Sequence, residues 1–124
     1  MSFSATIRHT PSASLINLHG RLTSLEVGVL RENIARLLSE GRKHIVLNMS
    51  ALQYLDSSGI GELARIYVMV LKRGGEIRVV GLSRNVEEVL KITHLYQVLP
   101  ECPDEEAALE SFPGPRSGGI GNKP

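Results

Sequence analysis

The hydrophobic and polar positions divide the chain into short apolar-rich runs and longer stretches with apolar residues at helical spacing. Residues 3–10 and 13–19 read as two strands, and Pro11-Ser12 between them suits the turn of a hairpin. Gly20-Arg21-Leu22 then leads into Thr23-Ser24-Leu25-Glu26, where Thr23 as N-cap and Glu26 three residues on predict a capping box. The helix that follows places Val27, Leu30, Ile34, Leu37 and Leu38 on one face, with Glu32/Arg36 and Arg36/Glu40 as i, i+4 pairs on the other, and Gly41 ends it. His44-Ile45-Val46-Leu47-Asn48 has consecutive apolar residues, the pattern of a strand covered on both faces. A loop is expected from Met49 to Leu55.

From Ile60 the apolar residues Leu63, Ala64, Tyr67, Val70 and Leu71 form the stripe of a second helix, which Gly74-Gly75 terminates. Residues 76–81 predict a strand parallel to 44–48, because strand, helix and strand follow at the spacing of a βαβ unit. Ser83 or Asn85 caps a third helix, with Asn85/Glu88 a second possible capping box and Val86, Val89, Leu90 and Thr93 facing inward. A last strand is expected around Val98 and Leu99. Pro103-Asp104 opens an acidic fourth helix packed through Ala108, Leu109 and Phe112. The fold class is α/β: a mixed sheet of four or five strands with about four helices, over residues 1–112. Residues 113–124, rich in Gly and Pro, predict a disordered tail.

Composition narrows the function classes more than it changes this picture. Fourteen basic against thirteen acidic residues, interspersed, argue against a nucleic-acid surface. Arg42-Lys43 and Lys72-Arg73 follow helical patterns, where cations complement the negative end of the helix dipole. No apolar run is long enough to insert in a membrane and the N-terminus has no signal-peptide pattern, so a cytoplasmic location is expected. Cys102 is the single cysteine and His9, His19, His44 and His94 are scattered, so no metal or cofactor site is expected.

Candidate chemistry concentrates where Leu55-Asp56-Ser57-Ser58-Gly59-Ile60-Gly61 turns a loop into the second helix. The bland reading makes one of Asp56, Ser57 and Ser58 an N-cap and nothing more. A nucleophilic serine would need a base and an oxyanion hole, and the Gly-x-Ser-x-Gly pattern is absent around both serines. A phosphorylated serine fits the physics of the position, since a helix N-terminus offers free N–H groups and positive potential to a phosphate.

Three stretches carry a resemblance. Residues 45–50, the run Tyr54-Leu55-Asp56-Ser57-Ser58-Gly59-Ile60-Gly61 and residues 74–82 resemble the STAS domain of bacterial anti-sigma factor antagonists. The likeness extends to Gly20-Arg21-Leu22, to residues 89–93 and to residues 104–109. It implies a STAS fold and a non-enzymatic partner switch. Unmodified, such a protein binds a serine-kinase anti-sigma factor and frees the sigma factor held by it. The kinase phosphorylates the first serine of the Asp-Ser-(Ser/Thr)-Gly motif, here Ser57, which weakens the complex, and a PP2C-type phosphatase resets it. Asp56 and Ser58 are then expected to support the phosphosite, and Gly59, Ile60 and Gly61 to support it and meet the partner. Thr23 and Asn48 stand where the family commonly has acidic residues, and His94 where it frequently has Gly. Those two lost charges motivate an alternative, a STAS scaffold or regulatory module of a stress-signalling complex or transporter. A small serine hydrolase or nucleotide-binding enzyme, lacking a phosphate-binding Gly-x-x-x-x-Gly-Lys-(Ser/Thr) loop, is the weakest alternative.

Overall fold

A computed structural model describes residues 3–113; the expected tail lies almost wholly outside the described residues. Five strands form one mixed sheet in sequence order: β1 (Ser4–His9), β2 (Ser14–Leu22), β3 (His44–Leu55), β4 (Glu76–Val80) and β5 (Glu101–Cys102). The hairpin β1/β2 is antiparallel, and β2, β3, β4 and β5 run parallel. Four helices connect or flank them: α1 (Val27–Ser39), α2 (Ser57–Lys72), α3 (Arg84–Ile92) and α4 (Glu105–Glu110).

The consecutive apolar residues of β3 are buried on both sides of the sheet. Ile45 and Leu47 join one core with Leu30, Ile34 and Leu37 of α1, Leu63, Ile66 and Val70 of α2, and Val86 and Leu90 of α3. Val46 points the other way into a smaller cluster with Leu15, Val80, Ala108 and Phe112, which α4 covers. The same alternation on β2 sends Ile16 and Leu18 to the large core and Leu15 to the small one.

The helix ends follow backbone chemistry. Gly41 adopts φ +82°, and the N–H groups of Gly41 and Arg42 donate to the carbonyls of Leu38 and Leu37, which are the paired bonds of a Schellman motif. Gly74 does the same for α2 at φ +75°, with Gly74 and Gly75 donating to Leu71 and Val70. Both helices therefore stop abruptly and hand the chain directly to β3 and β4. After α3 the same left-handed role falls to His94 at φ +67°, a residue with a Cβ.

Several expectations change in detail. The segment 49–55 is no loop, since it continues β3 beside Gly20, Arg21 and Leu22 of a longer β2. Thr23 does not cap α1, whose first residue is Val27; its hydroxyl donates to the Glu26 carboxylate at 2.8 Å within a turn that precedes the helix. Arg36 donates to Asn33 on its own helix at 2.9 Å instead of closing the expected carboxylate pairs. In α2 the buried stripe is Gly59, Glu62, Leu63, Ile66 and Val70, so Leu71, expected inside, is about half exposed (48%). Ser83, not Asn85, caps α3 by accepting from the Val86 N–H at 3.2 Å, and Thr93 is exposed. The last strand sits at Glu101–Cys102, and the segment before it is a 3-10 turn over Leu95–Gln97.

Candidate functional site

The site is built at the place where β2 and β3 end together. Leu22 and Leu55 are register partners at the ends of the two strands, and both are buried. The next residue after Leu55, Asp56, donates its N–H to the Leu22 carbonyl at 3.3 Å. Its side chain then accepts from the Gly59 N–H at 3.0 Å, and its carbonyl accepts from the Ile60 N–H at 2.9 Å. Asp56 is thus the N-cap of α2, joining strand end to helix start in three bonds.

This fixes Ser57 and Ser58 as the first two helical residues. Their N–H groups precede the first intrahelical bond, and one turn of positive helix dipole lies behind them. The two serines differ in access. Ser57 is exposed and Ser58 is half-buried. Gly59 is buried against β2: a Cβ there would stand 2.5 Å from the Leu22 carbonyl oxygen and 3.0 Å from the Leu55 Cβ. Ile60 is half-buried and packs on the main core, which ties the first turn of α2 to the fold. Gly61 faces the other way, into a cleft of about 520 Å³ with Ser24, Arg31, Ser57, Ser58 and Arg65.

Sequence reasoning brought together residues 56–61 and missed the basic wall of this cleft. Arg31 comes from α1 and Arg65 from the third turn of α2, and between them lies Glu62, whose side chain is fully buried. Glu62 Oε2 accepts from Arg31 Nε at 3.1 Å and Oε1 from Arg65 Nη1 at 3.4 Å. The Glu62/Arg65 spacing of three was legible as a helical pair, but the contact across thirty-one residues to Arg31 was not.

The two positions at which acidic residues were expected also find physical accounts. At Thr23 a carboxylate is present all the same, contributed by Glu26 through the bond to the threonine hydroxyl. Asn48, the last residue of β3 that pairs with β4, donates through Nδ2 to Glu105 at 2.7 Å and accepts through Oδ1 from the N–H and hydroxyl of Ser50. Glu105 also accepts from Arg8 at 2.5 Å, and these bonds, Arg8 first and Asn48 next, hold its carboxyl below the ordinary glutamate range. An amide at position 48 can donate to a carboxylate, which a second carboxylate cannot do.

No helix among the described residues is long and apolar enough to cross a membrane. The architecture is that of an α/β domain with a serine-bearing helix start, and residues 4–108 match the family model for the STAS domain. The chain belongs to the STAS domain family. It is 26% identical over 110 residues to an anti-sigma F factor antagonist of Paenibacillus polymyxa, covering 88% of this chain and 94% of that protein. Two solved structures share the fold alone. An anti-sigma factor antagonist from Mycobacterium paratuberculosis superposes with TM-score 0.78 at 22% identity, over 89% of this chain and 93% of that one. The Bacillus cell fate determinant SpoIIAA in its phosphorylated form does so with TM-score 0.68 at 22% identity, over 90% of this chain and all of that one. The Paenibacillus polymyxa protein and the Mycobacterium paratuberculosis structure are both anti-sigma factor antagonists.

Proposed function

We propose that this chain is an anti-sigma factor antagonist switched by phosphorylation of Ser57. In its unmodified form it binds a serine-kinase anti-sigma factor and releases the sigma factor that kinase holds. The kinase transfers the γ-phosphoryl group of ATP to Ser57 Oγ, leaving ADP and the hydroxyl proton, and the complex weakens; a PP2C-type phosphatase hydrolyses the ester and restores binding. One observation carries the choice of residue: Ser57 is exposed as the first residue of α2, whereas Ser58 beside it is half-buried. The helix terminus tolerates the added charge, so the modification acts on a surface instead of unfolding the domain.

Incubation with a cognate serine kinase and ATP, followed by peptide mass mapping, tests the reading. Phosphate is expected on Ser57 and lost in Ser57→Ala; absence of phosphate from both serines rejects the switch. Ser57→Asp is expected to weaken kinase binding while leaving stability within about 1 kcal/mol of the parent.

A further inference from the structure

The cleft beside Ser57 has guanidinium groups from two helices on its walls and no carboxylate among its lining residues. Arg31 and Arg65 are 45% and 61% exposed, so their charges are open to solvent, while the Glu62 carboxylate that holds both is wholly buried beneath them. Two cations against one anion leave one uncompensated positive charge. Each guanidinium has five N–H donors, and the bonds to Glu62 use one from each, Arg31 Nε and Arg65 Nη1. The remaining donors, forked and planar, match the oxygens of a dianionic phosphate better than any single lysine would. The serine hydroxyl that would bear such a group lines the same cleft.

We infer that Arg31 and Arg65 form a receptor for a phosphomonoester carried on Ser57 itself, with Glu62 as the positioning residue that presents both guanidiniums. The inference rests on Ser57 being the phosphorylated residue. Phosphorylation then does two things at once: it adds negative charge, and it withdraws a pair of exposed cations from any partner that docks over α1 and α2. The captured ester is also less open to a phosphatase, so the arginines set how long the off state lasts. Asp56 opposes the capture, being the nearest carboxylate on the chain to Ser57, but it is engaged as the N-cap.

The test uses the full chain with phosphoserine installed at position 57 during synthesis, so that no kinase is required. Phosphorus NMR follows the second ionisation of the ester. Cations at the receptor favour the dianion, so the midpoint is expected about one unit below the ordinary value near 6. Arg31→Gln and Arg65→Gln should each raise it by about 0.3 units or more. Arg65→Gln leaves the Arg31–Glu62 bond in place, and its thermal melt verifies that the fold survives. Midpoints unchanged within about 0.1 unit in both variants overturn the receptor. Inorganic phosphate added to the unmodified chain separates a free ligand from the tethered one: no saturation up to about 10 mM is expected, and binding tighter than about 1 mM that survives Ser57→Ala reassigns the cleft and overturns the inference. A kinase that leaves Ser57 unmodified rejects the proposed switch, while this titration judges the arginines separately.

Discussion

Gly59 and Leu22 meet so closely that the helix residue has no room for a side chain: a Cβ at position 59 would lie 2.5 Å from the Leu22 carbonyl oxygen. Gly61, two residues on in the same helix, has only Arg65 Nη1 near such an atom, at 3.7 Å. The pair makes an internal comparison. Ala replacing Gly within a helix gains up to about 1 kcal/mol of propensity, and overpacking against backbone loses about 1–3 kcal/mol. Gly59→Ala is therefore expected to destabilise and Gly61→Ala to be neutral or stabilising by up to about 1 kcal/mol in urea unfolding. Equal effects of the two would show that the contact with Leu22 does not constrain the helix start.

The cap at Asp56 depends on an oxygen, not on a charge, since a single side-chain oxygen accepts the Gly59 N–H. Asp56→Ala should lower stability by about 1 kcal/mol, and Asp56→Asn by only a few tenths, because the asparagine oxygen can accept the same bond. If both substitutions were equally costly in denaturant melts, electrostatics would be the source of the effect.

Glu105 gives the domain a defined acid response. Its carboxyl is held below its ordinary value by the bonds from Arg8 and Asn48, so the stability it contributes is present above the unfolded-state value near 4.5 and is lost as pH falls through the lower folded-state value. The side chain is about a quarter exposed (27%), which keeps the contribution to about 1 kcal/mol or less. Thermal melts from pH 6 to pH 3 should be less steeply pH-dependent for Glu105→Gln than for the parent chain. Parallel curves would exclude Glu105 as a source of that slope.

Asn48→Asp reverses the sign of the neighbouring contact. The amide that donates to Glu105 at 2.7 Å becomes a second carboxylate, and the Glu105 carboxyl or its new neighbour must rise in pKa. We expect a loss of about 1–2 kcal/mol at pH 7. This loss shrinks as pH falls through the raised value. A variant as stable as the parent at pH 7 would mean that Arg8 alone neutralises both acids.

The sequence made most of the architecture readable, and the exceptions have physical causes. Ile45, Val46 and Leu47 announced a strand buried on both sides, and all three are buried. Residues 49–55 concealed the continuation of that strand because β3 carries extra residues at two points. Asn17 pairs with Asn48 but His19 with Ala51, and Gly20 pairs with Leu52 but Arg21 with Tyr54. These bulges turn an alternating burial pattern into one in which every third residue, Met49, Leu52 and Leu55, is buried. In α2, apolar residues occupy more than one face: Leu63 and Val70 of the expected stripe are buried and Ile60 and Tyr67 pack on the core, while Leu71 is exposed and Ile66, outside the stripe, is buried, so periodicity alone misplaced one edge of the face. Within the site, local signals at Asp56 and Gly59 were legible. Arg31 was not, because its contact with Glu62 exists only once α1 is laid beside α2.

The two unequal cores give the molecule a division of labour. The serine-bearing end of α2 stands on the large core shared by three helices, while among the described residues the opposite face is covered by the six-residue helix α4 and Phe112, with Glu105 of α4 bonded to Arg8 and Asn48. Fraying of that small lid in an acid or warm environment would expose Val46 and Val80 without loosening the helix start that carries Ser57. The serine-bearing end can thus keep its shape while the back of the domain breathes.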